Sequence, residues 1–332
     1  MSGAETVTVG AEDDGVRLDR WFKRHYPGLG FGAVSKLVRT GQVRVDGKRA
    51  KVGDRLVAGQ AVRVPPMDRE AARQPAAGPA AKPRPAVSAR DAADLRARVL
   101  HKDDHVLAIA KPAGLAVQGG SGVARHLDGM LDALTFEKDE RPRLIHRLDK
   151  DTSGVLLLGR TAQAAAQLGK AFRSRAAHKV YWALVMRVPR VRAGEIRGAM
   201  DKQGGAGQEK MALDPEGKAA VTLYSVVDQA AQKASWLALK PLTGRTHQLR
   251  VHSAAINHPI VGDGKYGGRE AFLGGQVSRN LHLHARAITL PHPAGGRLSV
   301  TAPLEGHMLK TWETFGWDPD YAEDPFEDDG AR

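Results

Sequence analysis

Three segments of this chain carry residue types that can do chemistry. The densest is Arg143-Leu144-Ile145-His146-Arg147-Leu148-Asp149-Lys150-Asp151-Thr152-Ser153-Gly154, set between Pro142 and an apolar run. Two carboxylates, a histidine and two cations fall within six of these residues. A loop of this kind at a strand edge can turn Asp149 inward while Arg147 and Lys150 supply positive potential. A carboxylate beside a cation stays ionised at neutral pH and can act as nucleophile or base. Asp and His are also metal-ligand types, but the adjacent cations would repel a dication. On spacing alone the simpler reading is a salt-bridged turn, with Thr152 and Ser153 capping backbone groups.

The second segment is Gly244-Arg245-Thr246-His247-Gln248-Leu249-Arg250-Val251-His252. If it is helical, His247 and Arg250 share a face at i, i+3, and a glycine before a basic first turn makes an anion site. It is followed by His258-Pro259-Ile260-Val261-Gly262-Asp263-Gly264-Lys265-Tyr266-Gly267, whose glycines and proline force tight turns: a structural or a substrate-facing loop. The third segment, Lys111-Pro112-Ala113-Gly114 through Gly122, runs from a strand into a Gly-rich turn. It lacks the Gly-Lys-Ser/Thr ending of a nucleotide loop and the spacing of a dinucleotide fingerprint, so no nucleotide cofactor is expected.

These segments need a scaffold. Strand-like runs recur at Val106–Ala110, Val155–Leu158, Val180–Val185, Ala219–Val227, Ala234–Leu239, Leu281–Leu290 and Arg297–Val300. Helix-like runs lie at Val123–Leu134, Ala162–Arg173 and His247–Ala255. Strands outnumber helices without regular alternation, which predicts an α+β domain on a mixed, largely antiparallel sheet. Residues 190–218, rich in Gly and Lys, read as a surface excursion off that sheet. Residues 67–94 hold a Pro/Ala-rich stretch, Gln74 to Pro85, that could build no core and reads as an extended linker. It divides a small module, 1–66, from a catalytic-sized domain, 95–312, and an acidic tail, 313–332, follows that reads as a disordered appendage moderating non-specific RNA binding. In the module, Leu18, Trp21 and Phe22 mark one helix, and Val34, Leu37 and Val38 a second that Gly41 stops. Alternation about Asp46-Gly47 marks a hairpin.

The chain has 332 residues and a formal net charge of +13, from 50 Lys+Arg against 37 Asp+Glu. It has no Cys, which excludes disulfides, thiolate metal sites and a Cys nucleophile. No apolar run reaches the roughly 18 residues of a membrane helix, and the small, acidic start is unlike a signal peptide. A soluble cytoplasmic protein is the expectation. The charge is uneven: residues 17–63 hold twelve Lys/Arg against three acids, and residues 313–332 hold one against eight. Lys36, Arg39, Arg44, Lys48 and Arg49 fall within fourteen residues. Such clustering suits phosphate contacts and ranks RNA binding above a merely solvated face.

At this point the module resembles the alpha-L RNA-binding motif, through Arg17-Leu18-Asp19-Arg20-Trp21 and Ser35 to Gly47. The larger domain resembles the RluA/RluC/RluD group of RNA pseudouridine synthases. The resemblance rests on Lys111-Pro112-Ala113-Gly114, His146-Arg147-Leu148-Asp149 with Thr152-Ser153-Gly154, Lys179-Val180-Tyr181, Gly244 through His252, Pro259 through Asp263, and Tyr266-Gly267. It runs from about Val99 to about Pro303. Val117 to Gly122 look most like the RluC branch, which acts on large-subunit rRNA.

The resemblance implies a pseudouridine synthase fold and an isomerase that detaches uracil from C1′ of a uridine, turns it and reattaches it through C5. It assigns Asp149 as the catalytic aspartate, attacking the sugar or removing the C2′ proton. It assigns Tyr181 to stack on the base, with a hydroxyl able to take the C5 proton, and Arg250 to pair with Asp149. Arg147 would fill the space left by the extruded nucleotide, and Leu283 would pack under the base. No metal or other cofactor is required. The implied partner is large-subunit rRNA or its assembly intermediate, met by a monomer away from any membrane. An RluD-like or tRNA-acting synthase and a non-catalytic rRNA-binding assembly factor are the alternatives; a binding protein would have no need for Asp149, Tyr181 and Arg250 together.

Overall fold

The computed structural model describes residues 4–68, 72, 87–120, 123, 125–204 and 210–327. They form two compact units, Met1–Arg84 and Pro85–Arg332.

In the first unit a strand, β1 (Glu5–Thr8), precedes two helices, α1 (Leu18–His25) and α2 (Phe31–Arg39). Then come β2 (Arg44–Val45), β3 (Lys48–Arg49) and β4 (Ala61–Val64), in a four-stranded sheet of order β1-β4-β2-β3. Leu18, Trp21 and Phe22 are fully buried against Val34, Val38 and Val62, so the two helical stripes and one sheet face make the core. The second helix stops where expected: Gly41 takes φ +74°, a left-handed conformation that glycine adopts at little cost. Asp46 and Gly47 both have positive φ, the backbone of a tight hairpin turn.

The proposed linker is not extended throughout. Most of its Pro/Ala-rich stretch lies outside the described residues. Its far end is a helix, α3 (Ala89–Arg96), with Ser88 accepting a hydrogen bond from the Asp91 N–H as an N-cap. Leu95 of that helix is buried in the core of the second unit. Ala and charged residues hid a helix whose burial rests on one side chain.

The second unit follows as β5 (Val99–Lys102), β6 (Val106–Lys111), α4 (Leu127–Met130), β7 (Arg143–Leu144), β8 (Ser153–Gly159) and α5 (Ala162–Arg173). Next are β9 (His178–Met186), β10 (Ala193–Gln203), β11 (Lys210–Leu213), β12 (Lys218–Ala230), β13 (Ala234–Pro241) and α6 (Gln248–Ala255). The last are β14 (Leu283–Pro291), β15 (Arg297–Thr301) and α7 (Gly306–Phe315). The eleven strands among the described residues run β11-β10-β12-β13-β9-β14-β8-β6-β5, with β15 on β14 and β7 on β8. Only β8 and β14 pair in parallel. The architecture is the expected α+β, with a mixed, largely antiparallel sheet.

Every residue of β6 is buried, because helices and loops cover both of its faces. Leu107 and Ile109 meet Leu127, Leu131 and Leu156 on one side. Val106 and Ala108 meet Leu168 and Ile288 on the other. The short helix α4 begins only at Leu127, where the His126 ring caps it, rather than at the predicted Val123.

Two expectations fail. Residues 190–218 are not an excursion off the sheet: β10 and β11 extend it as its outer strands. Their glycines and lysines alternate with a few buried residues, Ile196 and Met200, which suffices at an edge. The acidic tail is not a free appendage either. Trp317 and Phe326 are buried against Trp236 and Trp312, and His178 bonds Asp324 at 2.5 Å. Trp, Tyr and Phe spaced among the acids anchor it; residues 328–332 lie outside the described set.

Candidate active site

The loop that carries Asp149 is held by backbone-directed bonds rather than by charge pairs. Lys111, at the end of β6, is buried, and its Nζ donates to the carbonyls of Pro112 (2.9 Å), Leu115 (2.8 Å) and Lys150 (3.0 Å). The Gly114 N–H donates to the same Lys150 carbonyl at 2.9 Å. Past the loop, Gly154 (φ +110°) lets β8 close on β14: a Cβ there would lie 2.2 Å from the Ala285 carbonyl oxygen. Ser153 Oγ lies 2.8 Å from His284 Nδ1, fixing the same junction.

Asp149 is thereby presented to α6. Its Oδ2 lies 3.8 Å from His247 Nε2 and 3.8 Å from Arg250 Nη1. His247 caps α6 in the left-handed region (φ 54°), which turns its ring towards Asp149. Its Nδ1 lies 2.6 Å from the Tyr266 hydroxyl. Burial lowers the His247 pKa, although Asp149 opposes the shift.

Arg250 spends its fork elsewhere. Nε and Nη2 donate to the two oxygens of Asp263, both at 2.8 Å, and Asp263 is fully buried. Arg250 thus faces two carboxylates: Asp263 is the bidentate partner, and Asp149, the expected one, sits at the remaining Nη1. Gly262 (φ +83°) makes this possible, since a Cβ would lie 1.9 Å from the Asn280 carbonyl.

All five residues singled out for the catalytic domain line one cavity of about 790 Å³: Asp149, Tyr181, Arg250, Arg147 and Leu283. Asp149 is the only acid among its described lining residues, against seven Lys/Arg. Arg147 is exposed at its mouth and also lines a smaller adjoining cavity of about 290 Å³, with Gln118, Gly119 and Asp149. Leu283 is buried on β14, in register with Ala183 of β9. Tyr181 points into the cavity from β9; burial, and then the charge of Asp149, pushes its phenol pKa up, so it is protonated at neutral pH. The Thr152 hydroxyl, also on the wall, is buried with no hydrogen-bond partner among the described residues.

His146 does not face the chemistry. Its Nε2 accepts from the Leu157 N–H at 2.9 Å, and its ring stacks on Phe172. Burial, helped by Lys179, lowers its pKa to about 3, so it is neutral. His252 is likewise structural, 2.9 Å from Thr222 Oγ1. Asp263, Tyr266, Lys111 and Lys179 stand in the motifs, yet spacing alone gave no role to any of them. No group of three or more His, Asp or Glu among the described residues could hold a metal ion.

In the first unit, Lys36, Arg39, Arg44, Lys48 and Arg49 are all exposed. The strand register adds one residue: Arg44 lies opposite Arg49 on β3 and opposite Arg63 on β4. Three like charges side by side are destabilising without an anion. Arg63 was missed because it is far along the chain from the cluster.

Comparison with known proteins gives a consistent picture. Residues 105–255 match the family model described as RNA pseudouridylate synthase. The ribosomal large subunit pseudouridine synthase C of Vibrio cholerae is 34% identical over 91% of this chain and 94% of its own length. That of Escherichia coli K12 is 33% identical over 90% and 92%. Among solved structures, human RNA pseudouridylate synthase domain containing 4 aligns with a TM-score of 0.58 at 30% identity, covering 68% of this chain and 95% of that one.

Proposed function

The chain belongs to the RNA pseudouridine synthases, and from that membership we propose that it converts specific uridines of large-subunit (23S) rRNA to pseudouridine. The observation that carries the reading is a single carboxylate, Asp149, set among cations in a cavity that Tyr181 and Leu283 also line. Hydrolysis of a glycosidic bond generally uses two carboxylates, and here one acid faces the cavity. The relatives' name supports the substrate: they are large-subunit enzymes matched over nearly their whole length.

In this reading the extruded uridine lies with its sugar at Asp149 and its base on Tyr181. Asp149 attacks C1′ or removes the C2′ proton as the C1′–N1 bond breaks; the freed uracil turns, its C5 bonds to C1′ as the bond to Asp149 breaks or the C2′ proton returns, and the proton on C5 then passes to water while N1 takes one up. Arg250 and His247 each lie 3.8 Å from the carboxylate, near enough to orient it without forming a tight pair that would blunt it. A phenol that keeps its proton favours the stacking role of Tyr181 over direct removal of the C5 proton. Arg147, exposed at the mouth, suits the place vacated in the RNA. An isomerase must keep water from the detached base, a task for the bound RNA together with the cavity wall. The exposed cations of the first unit supply a second grip on the polyanion. The protein is read as a cytoplasmic monomer.

Pseudouridine mapping of total RNA from cells lacking this protein tests the reading. Sites should vanish from large-subunit rRNA and return with the wild-type chain but not with Asp149→Asn, which should still bind RNA. Loss confined to tRNA, or activity retained by Asp149→Asn, refutes it.

A further inference from the structure

Among the described residues no carboxylate pairs with Lys179. It lies on β9 two residues before Tyr181, so strand alternation puts both side chains on one face, while Val180 and Trp182 enter the core on the other. Both line the Asp149 cavity. Among the described residues Lys179 makes no hydrogen bond or ion pair, and burial alone lowers its pKa. Asp149 already faces His247 and Arg250, each 3.8 Å away. Near Lys179 lie the neutral His146 ring, itself stacked on Phe172, and Ile288, opposite it in register. Arg173 and Arg175, exposed at the end of α5, line the same cavity.

An ammonium held in such a place costs free energy unless an anion reaches it. A neutral base carbonyl would leave its charge uncompensated, and two further arginines on the same wall would have no purpose. On the reading given above, the ligand is a polynucleotide whose only anionic groups are its phosphodiesters. Building on that reading, we infer that Lys179, with Arg173 and Arg175, forms a phosphodiester subsite that takes a backbone phosphate next to the target uridine. The RNA then supplies the counter-ion that the free protein lacks, and a cavity open to any uracil becomes selective for a nucleotide within a chain.

The test is a cycle between protein and phosphate. Short large-subunit rRNA stem-loops containing a mapped target uridine are made with single phosphodiesters replaced by neutral methylphosphonates. Each is turned over by full-length wild type, Lys179→Met and Lys179→Arg. Lys179→Met should lose about 10- to 100-fold in kcat/KM, the worth of a charged hydrogen bond. One methylphosphonate should cost the wild type a similar factor and cost Lys179→Met nothing more; Lys179→Arg should keep most activity and the phosphate dependence. Independent losses at every position, with wild type active, overturn the subsite and leave the function intact. A wild type that forms no pseudouridine in any of these RNAs overturns the function and the subsite with it. If Lys179→Met does not fold, the wild-type Lys179 side chain is followed by lysine-selective NMR. Its titration should move to higher pH when RNA binds, and no movement overturns the inference.

Discussion

Asp263→Asn isolates what keeps Asp149 usable. Asp263 is buried and does not line the cavity, so the change removes no contact with RNA. It removes the charge that holds the Arg250 fork, and Arg250 is then free to close on Asp149. At an effective dielectric of about 20, unit charges 3.8 Å apart attract by about 4.4 kcal/mol, and at the 2.8 Å now kept with Asp263 by about 5.9 kcal/mol. The carboxylate gains about 1.5 kcal/mol in the resting enzyme that it loses when it reacts. That is roughly a tenfold fall in kcat. KM should hold. Folding stability should fall by about 1.5–3 kcal/mol, the worth of a hydrogen bond to a charged group. Single-turnover rates and a urea titration read these separately. A variant that is destabilised but keeps its kcat makes Asp263 a structural residue only. A change confined to KM refutes the reasoning outright.

Three further outcomes follow from the packing. His146, His282 and His284 have pKa values lowered by burial to about 3, 4 and 4, so the fold keeps them neutral while the unfolded chain takes up protons below its ordinary 6.5. Stability from these groups is full above pH 6.5 and falls as pH drops towards 4, by about 1.4 kcal/mol per pH unit for each; His146→Gln should flatten the acid limb of a Tm–pH curve, and an unaltered slope would contradict the assignment. Trp317→Ala, which empties a buried place beside Trp236 and Trp312, should cost about 3–5 kcal/mol in urea unfolding; a cost below 1 kcal/mol would mean the tail is not part of the core. Arg63→Gln should weaken RNA binding and reduce the slope of log K against log salt by about 0.9; an unchanged slope would remove Arg63 from the interface.

What could be read from the sequence depended on how far apart the partners lie in it. Asp149 and Tyr181 were legible because each stands in a short local string on which the family resemblance rests, His146-Arg147-Leu148-Asp149 and Lys179-Val180-Tyr181. The module's helices and hairpin were legible for the same reason: Trp21 with Phe22, and Asp46 with Gly47, act within one turn. Arg250 was found, but its fork partner Asp263 lies a helix and a loop later, and only the fold brings the two together. Lys111 and Lys150 meet across 39 positions through a carbonyl that has no residue identity to read. Lys179 could not be singled out, because having no partner is a property of the packed wall. The tail was misread for a different reason. Charge dominates its composition, whereas two buried rings, Trp317 and Phe326, decide where it goes.

That docked tail gives the large unit an orientation in an electric field. Strand β9 sends Val180, Trp182 and Leu184 to the face where the tail is anchored, and Tyr181 and Lys179 to the face of the cavity. Exposed Asp318, Asp320, Glu323 and Glu327 thus sit behind the sheet, and the unpaired cations sit in front of it. A net charge describes only how strongly a polyanion pulls; the separation of signs adds a torque. If RNA is the partner, such a torque should push the acidic side away and swing the cavity forward before contact, a bias that salt-dependent association rates would show. Productive encounters then outnumber those expected from random collision, and salt abolishes the excess over the same range in which it screens the field.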